Sequence, residues 1–130
     1  MKIGLVSIIF LSVILMLVSV SCTRFTGNAV EYSGSNIGNH IDGTYKLFDG
    51  QQIKTVNLEA GDVLNFSYNS TVEKGSLSMF FENPEKVTVV FFPVNTSGIA
   101  IYSADKSGNY RVVIIGENTQ GKFTLSWKIE

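Results

Sequence analysis

Three segments of the chain alternate apolar and polar residues with a period of two. They are DVLNFSYNS (62–70), SLSMFFE (76–82) and GKFTLSWKIE (121–130). This period indicates half-buried β-strands, whereas no window of a dozen residues shows a helical stripe. Gly or Pro recurs mostly every 7 to 14 residues or so from Gly43 onward, which is typical of an all-β sandwich. We therefore predict an antiparallel, jelly-roll-like β-sandwich of about seven to nine strands over residues 43–130.

The turns between these segments predict which strands are neighbours. EKGS (73–76) and DKSGN (105–109) each supply a glycine for a tight turn, and ENPEK (82–86) supplies a proline. We expect three hairpins, which join 63–72 to 76–82, 87–94 to 98–104, and 109–116 to 121–129.

Two segments, VTVVFFPV (87–94) and YRVVIIG (110–116), are apolar on both faces. A sandwich strand needs only one apolar face. Either both faces of these strands are covered, or the strands expose an apolar patch. Pro93 cannot donate a backbone hydrogen bond, so we expect it at a strand end or a bulge.

The N-terminus predicts export from the cytoplasm. Lys2 precedes an uncharged, mostly apolar run over residues 3–20, as in a secretory signal. The small residues Ser19 and Ser21 then lead to Cys22, the only cysteine. This arrangement resembles the lipobox of bacterial lipoproteins. The resemblance implies a signal peptide over 1–21, a lipid such as palmitate on Cys22, and a location at the extracytoplasmic face of the cell membrane. An uncleaved membrane anchor and a cleaved, soluble protein are the alternatives.

Residues 22–42 are rich in Gly, Ser, Asn and Thr and lack a sustained period. We interpret them as a flexible tether between the membrane and the domain. Residues 29–32 are the part that would add an edge strand to the sheet.

The order GDVLNFSYN, KGSLSMFF and SGNYRVVIIGENTQGKFTLSW is similar to small extracellular jelly-roll domains of the bacterial pre-peptidase C-terminal type. It also resembles short lipoproteins of Gram-positive bacteria that carry such a domain alone. The resemblance covers about residues 43–130. It implies a sandwich fold and a role in attachment or interaction at the cell surface. Some relatives bind calcium, but their ligands match no positions in this chain.

Charge and composition exclude several classes of activity. The chain has 10 basic and 11 acidic residues, and they are scattered, so no basic stripe favours nucleic acid. His40 is the only histidine, and it lies in the predicted tether, which disfavours a catalytic triad or a zinc site. No phosphate-binding motif occurs. We predict no enzyme activity, no cofactor and no metal, with calcium as the alternative, bound by acidic residues near turns: Asp42, Asp49, Asp62, Asp105 and Glu117.

The aromatic residues suggest a binding surface. Trp127 lies on the apolar face of its segment and is predicted to be in the core. Phe80, Phe92 and Tyr102 fall out of phase with the expected core faces. They would form an exposed platform for stacking sugars or docking a protein, unless their strands are covered on both faces.

Two functions fit this sequence. The first is a non-catalytic, surface-anchored binding module for a cell-wall polymer, a carbohydrate or a protein. The second is an inhibitor or protective lipoprotein that blocks an incoming enzyme or phage component through a projecting loop, for which residues 105–109 are the candidate.

Overall fold

The computed structural model describes residues 23–130. Cys22 and the predicted signal peptide lie outside the described residues. Six antiparallel strands form the fold: β1 (Thr23–Val30), β2 (His40–Leu58), β3 (Val63–Glu82), β4 (Thr88–Phe92), β5 (Ser97–Ser103) and β6 (Gly108–Ile129). Within residues 23–130, no helix is long and apolar enough to cross a membrane.

The three long strands lie side by side in the order β2-β6-β3, and β1 pairs with the outer edge of β2. The first part of β3 pairs with β5 and its last part with β4. The sheet bends midway along the long strands and folds over itself. We call residues 40–46, 63–72, 97–103 and 121–129 the front half-sheet. The back half-sheet comprises residues 23–30, 47–58, 76–82, 88–92 and 108–116.

The inner faces of the two half-sheets pack against each other. Phe66 of the front half-sheet has its ring centroid 5.0 Å from those of Phe81 and Phe92 of the back half-sheet. Trp127 is only 4% exposed in this core, as predicted. Two segments from each of the three long strands, together with β4 and β5, make eight segments within the predicted range, and β1 adds a ninth before it. The predicted all-β sandwich is therefore confirmed.

Two of the three predicted hairpins are wrong for the same reason: the glycines that suggested turns lie at the bend of continuous strands. Residues 63–72 and 76–82 both belong to β3, and residues 109–116 and 121–129 both belong to β6. Gly75 (φ +69°) and Gly121 (φ +149°) lie where the register of β3 and β6 shifts. A bulge bends a strand without ending it.

The third predicted hairpin fails for another reason. β4 and β5 pair with different parts of β3 and so lie in different half-sheets. Residues 93–96 cross between the two layers, and Pro93 follows the last residue of β4, which confirms its place at a strand end.

The predicted tether differs most from the structure. Residues 23–30 form β1 and pair with β2 along their whole length, and β2 begins at His40, before the expected boundary at residue 43. The edge strand therefore lies earlier than the expected residues 29–32. β1 resembles a linker in composition because its residues 24–30 are all exposed. Its one aromatic side chain, Phe25, stacks on Phe48 at 5.6 Å between ring centroids.

Candidate functional site

Two members of the predicted aromatic platform point into the core. Phe92 is 0% exposed, and its ring centroid lies 5.6 Å from that of Tyr68. Tyr102 is half-buried, with its ring 5.9 Å from Phe81 and 6.0 Å from Tyr110. Burial, followed by its interaction with Tyr110, raises the pKa of Tyr102 to about 12. The prediction that these two side chains form an exposed platform is wrong.

The phase of β5 explains the position of Tyr102. Gly98 and Ala100 face inward with Tyr102, and Ile99 and Ile101 face outward, where they are 77% and 67% exposed. A Cβ at Gly98 would overlap the phenol of Tyr68. Small residues on the inner side of this edge strand therefore make room for the aromatic core.

Phe80, the third predicted member, lies on the outer face of the back half-sheet. The strand register places it between Val113 and Phe91, and Val113 in turn pairs with Ile53. Ile115 lies one step further along β6 on the same face. We call these five side chains the back strip: Ile53, Phe80, Phe91, Val113 and Ile115.

The back strip is an apolar cluster outside the core. Val113 is only 3% exposed, yet it is not a member of the core cluster; its neighbours on the outer face cover it. Phe91 is 64% exposed. Segment 87–94 therefore exposes apolar surface at Phe91, which was the second alternative from the sequence. In segment 110–116 the outer residue Val113 is covered, which was the first alternative.

Polar residues border the back strip. Arg111 forms an ion pair with Glu82, and their side chains are 28% and 13% exposed. Gln51 and Ser78 lie on the other side, paired across β6 with Ile115. Arg24 stands at the β1 end of the row, opposite Ile53.

The outer face of the front half-sheet carries a groove of about 300 Å³. Ile99 and Ile101 form one wall on the edge strand β5. The register places Ser67 and Asn65 beside these isoleucines, and Ser126 and Lys128 one strand further. We call this the front groove: Asn65, Ser67, Ile99, Ile101, Ser126 and Lys128. The alternation of SGIAIYS was a signal for this groove, but an isoleucine in a strand usually indicates the core.

His40 lies in β2 on the same face, opposite Ser126. Its Nε2 is 2.6 Å from Oδ2 of Asp42. The hydroxyl and the backbone N–H of Ser35 donate to the same carboxylate at 2.8 and 3.0 Å. The bond with His40, then those with Ser35, hold the pKa of Asp42 below its ordinary value of 3.8. Asp42 thus fastens Ser35, in the loop before β2, to the sheet, and His40 contacts the same carboxylate.

Four of the five acidic residues considered as calcium ligands accept hydrogen bonds within the fold: Asp42, Asp49, Asp62 and Glu117. Asp62 accepts a hydrogen bond from the backbone N–H of Glu59 at 2.8 Å, and Asp49 accepts one from that of Asn118 at 3.1 Å. In the part of the chain that the structure describes, no three side chains of His, Cys, Asp or Glu come together as a metal site. The acids are spread over β2, β6 and two separate turns.

The loop considered for the inhibitor hypothesis is tied to its neighbours. Lys106 Nζ lies 2.6 Å from Oε2 of Glu85, and Ser107 accepts a hydrogen bond from the backbone N–H of Ala60 at 3.0 Å. The hydroxyl of Tyr110 donates to the carbonyl oxygen of Lys106 at 2.9 Å. Residues 105–109 are therefore held between two other turns.

Comparisons with solved structures agree with the sandwich fold. The secreted serine protease VesC from Vibrio cholerae aligns with a TM-score of 0.57 and 16% identity, over 83% of this chain and 24% of VesC. TmCBM61, solved in complex with β-1,4-galactotriose, aligns with a TM-score of 0.50 and 12% identity, over 86% of this chain and 88% of that one. A family 29 carbohydrate-binding module aligns with a TM-score of 0.45 and 14% identity, over 82% and 77%.

The chain thus spans about a quarter of the length of VesC and most of each carbohydrate-binding module. At these identities the likeness shows the fold alone. No family model and no curated protein matches the sequence.

Proposed function

We propose that this chain is a membrane-anchored, non-catalytic binding module that holds a cell-wall carbohydrate in its front groove. The groove is the observation that carries the proposal. Its residues are a carboxamide (Asn65), two hydroxyls (Ser67 and Ser126), an ammonium group (Lys128) and two exposed isoleucines. Sugars have hydroxyl groups at the ring edge and C–H groups on the ring face, so they need both kinds of contact.

The groove has the size and form that a polymer requires. Its volume of about 300 Å³ is at the lower end of ligand sites in proteins. It lies on an open sheet face, so a chain can run through it. The isoleucines are 77% and 67% exposed, and covering them with sugar rings would remove apolar surface from water.

The module is anchored through its N-terminus. Residues 1–21 act as a signal peptide, and Cys22 accepts a lipid at the extracytoplasmic face of the cell membrane. The apolar run over 3–20 and the small residues before the only cysteine support this step. The wild-type chain should incorporate labelled palmitate, and Cys22→Ala should abolish incorporation and leave an unprocessed precursor. A wild type that takes up no palmitate would refute the lipid anchor.

The groove is tested by calorimetry with the lipidated chain in detergent, titrated with solubilised wall glycan and with a β-1,4-galactan. Because the two isoleucines form the wall, Ile99→Ser with Ile101→Ser should raise Kd at least about tenfold, or about 1.4 kcal/mol. The matched control is Phe91→Ser, an equally exposed apolar residue on the opposite face, which should leave Kd unchanged. No reducing ends should appear during the titration.

Two results would overturn the proposal. One is that neither glycan binds. The other is that the isoleucine variant and the Phe91 control bind equally well, which would place the ligand elsewhere.

A further inference from the structure

The back strip lies close to the point where the chain leaves the sheet toward its N-terminal apolar run. β1 begins at Thr23, one residue after Cys22. Arg24 opens the row that continues through Ile53, Val113, Phe80 and Phe91. Two residues of extended chain span at most about 7 Å, so Arg24 lies within that distance of Cys22 along the chain.

Because residues 23–30 belong to the sheet, the back strip must stay close to a membrane that holds Cys22. The row from Arg24 to Phe91 crosses four strand spacings, or about 19 Å. Either an acyl chain on Cys22 or a retained apolar run over 3–20 would hold the β1 end of this row at the bilayer surface. The strip would be held there with it, because the described chain contains no flexible segment between residue 23 and the sheet.

The charges around the strip suit an anionic lipid surface. In the row of the strip and in the two rows beside it, Glu82 is the only carboxylate, and it is paired with Arg111. Arg24 adds a positive charge at the anchored end. Anionic lipid headgroups attract basic groups that lie within about a Debye length of them.

The back strip also exposes the apolar and aromatic side chains that a contact with lipid requires. Phe91 is 64% exposed, and Phe80, Ile53 and Ile115 are half-buried beside it. Aromatic rings are favoured at the boundary between headgroups and acyl chains. A sandwich has no internal need for these residues on its outer face.

We propose that the back strip rests on the phospholipid surface as a second, non-covalent membrane contact, which orients the domain so that the front groove points away from the membrane. This inference rests on the anchor in the proposed function. A second copy of the chain on the strip would be a different outcome of the test. A strip that instead binds a glycan or a partner protein would leave the label accessible on vesicles that contain neither.

The test uses the processed, lipidated chain in vesicles of phosphatidylcholine with about 30% phosphatidylglycerol, which supplies an anionic surface. Lipid consumes the thiol of Cys22, so an introduced cysteine can carry a nitroxide label. Gln51→Cys places the label beside the strip. Ser67→Cys is the matched control, because Ser67 is also an exposed polar residue and lies on the opposite face. Flotation with the vesicles reports the anchor, and collision of the label with an aqueous nickel chelate reports docking.

We expect both labelled proteins to float. A label about 5–10 Å below the headgroup level should collide with the nickel chelate about fivefold less often at position 51 than at position 67. Phe80→Ser with Phe91→Ser in the Gln51→Cys chain should remove this protection without preventing flotation.

Four results would overturn the inference. If both proteins float with equally accessible labels, docking is wrong and the anchor stands. If neither floats, the anchor fails, and docking fails with it. Protection that persists in the double serine variant would place the contact outside the strip. Protection that disappears as the protein-to-lipid ratio falls would assign the strip to a second copy of the chain.

Discussion

Phe91 and Phe92 are consecutive residues on opposite sides of the same strand, one 64% and the other 0% exposed. Their register partners on β3 are Phe80 on the outer face and Met79 in the core. A shift of one residue in β4 would therefore exchange the exposed phenylalanine for the buried one.

The pair gives a direct test of the placement of β4. Phe92→Ala should lower the free energy of unfolding by about 3–5 kcal/mol, because it leaves a cavity beside Phe66. Phe91→Ala should change it by no more than about 0.5 kcal/mol, as surface substitutions usually do. Urea unfolding of the two variants measures the difference. Equal costs, or the reverse order, would mean that β4 has the opposite phase.

A second prediction concerns Tyr102. Burial beside Phe81 and Tyr110 raises its pKa to about 12, whereas a tyrosine exposed on a platform ionises near 10. In a rapid pH-jump titration of phenolate absorbance, Tyr102→Phe should remove one group that ionises near the higher value. If the substitution instead removes a group that ionises near 10, Tyr102 is exposed and the buried placement is wrong.

The third prediction concerns Trp127, whose ring centroid lies 5.6 Å from Nζ of Lys54. Trp127→Ala should cost about 3–5 kcal/mol, because the indole fills the core between the half-sheets. Lys128→Ala is the matched control, since its side chain lies next in the strand on the exposed face and should be nearly neutral. Thermal or urea unfolding measures both. A stable Trp127→Ala variant would contradict the assigned core.

Stability should also depend on pH through Asp42. The bonds with His40 and Ser35 lower its pKa in the folded state below 3.8, so the ionised form favours folding. This contribution is present above the ordinary pKa and is lost as the pH falls through the lowered value. Asp42→Asn should therefore be less stable than the wild type near about pH 6, and the difference should shrink below pH 3.8. A difference that does not change with pH would assign no role to the carboxylate charge.

Much of the fold could be predicted from the sequence, because apolar and polar residues alternate with a period of two in half-buried strands. Leu64 and Phe66 alternate with Asn65 and Ser67 for this reason, and the structure buries the first two. The topology could not be predicted in the same way. A glycine at a turn and a glycine at a bulge look alike, and the difference depends on a pairing partner more than forty residues away, as between Gly75 and the β6 residues around Glu117.

The site was harder to predict, for a related reason. After Thr88, β4 (TVVFF) has no polar residue that would show which side chains face the core. Phe92 faces the core because it pairs with Met79 of β3, and the sequence of β4 alone does not show this pairing. Exposed isoleucines such as Ile99 and Ile101 are uncommon on edge strands, so the pattern of β5 did not indicate the groove that they form. β1 suggested a linker because an edge strand with an exposed face needs few apolar residues.

The bend of the long strands leads to the last prediction. Gly121 has φ +149°, and a Cβ there would overlap the backbone carbonyl oxygen of Thr71 in β3. Gly121→Ala should therefore cost at least about 2 kcal/mol, from backbone strain and from forcing β3 and β6 apart. Gly61→Ala is the control: Gly61 also has a positive φ, +93°, but nothing lies within 4 Å of its added Cβ, so it should cost only the strain, about 1 kcal/mol. Urea unfolding of both variants measures the costs.

Because the bend brings Phe66 against Phe81, Gly121→Ala should also weaken the packing between the half-sheets. This would be seen as faster hydrogen exchange in both half-sheets. If the two alanine variants prove equally stable, close approach of β3 and β6 at Gly121 is not what shapes the bend.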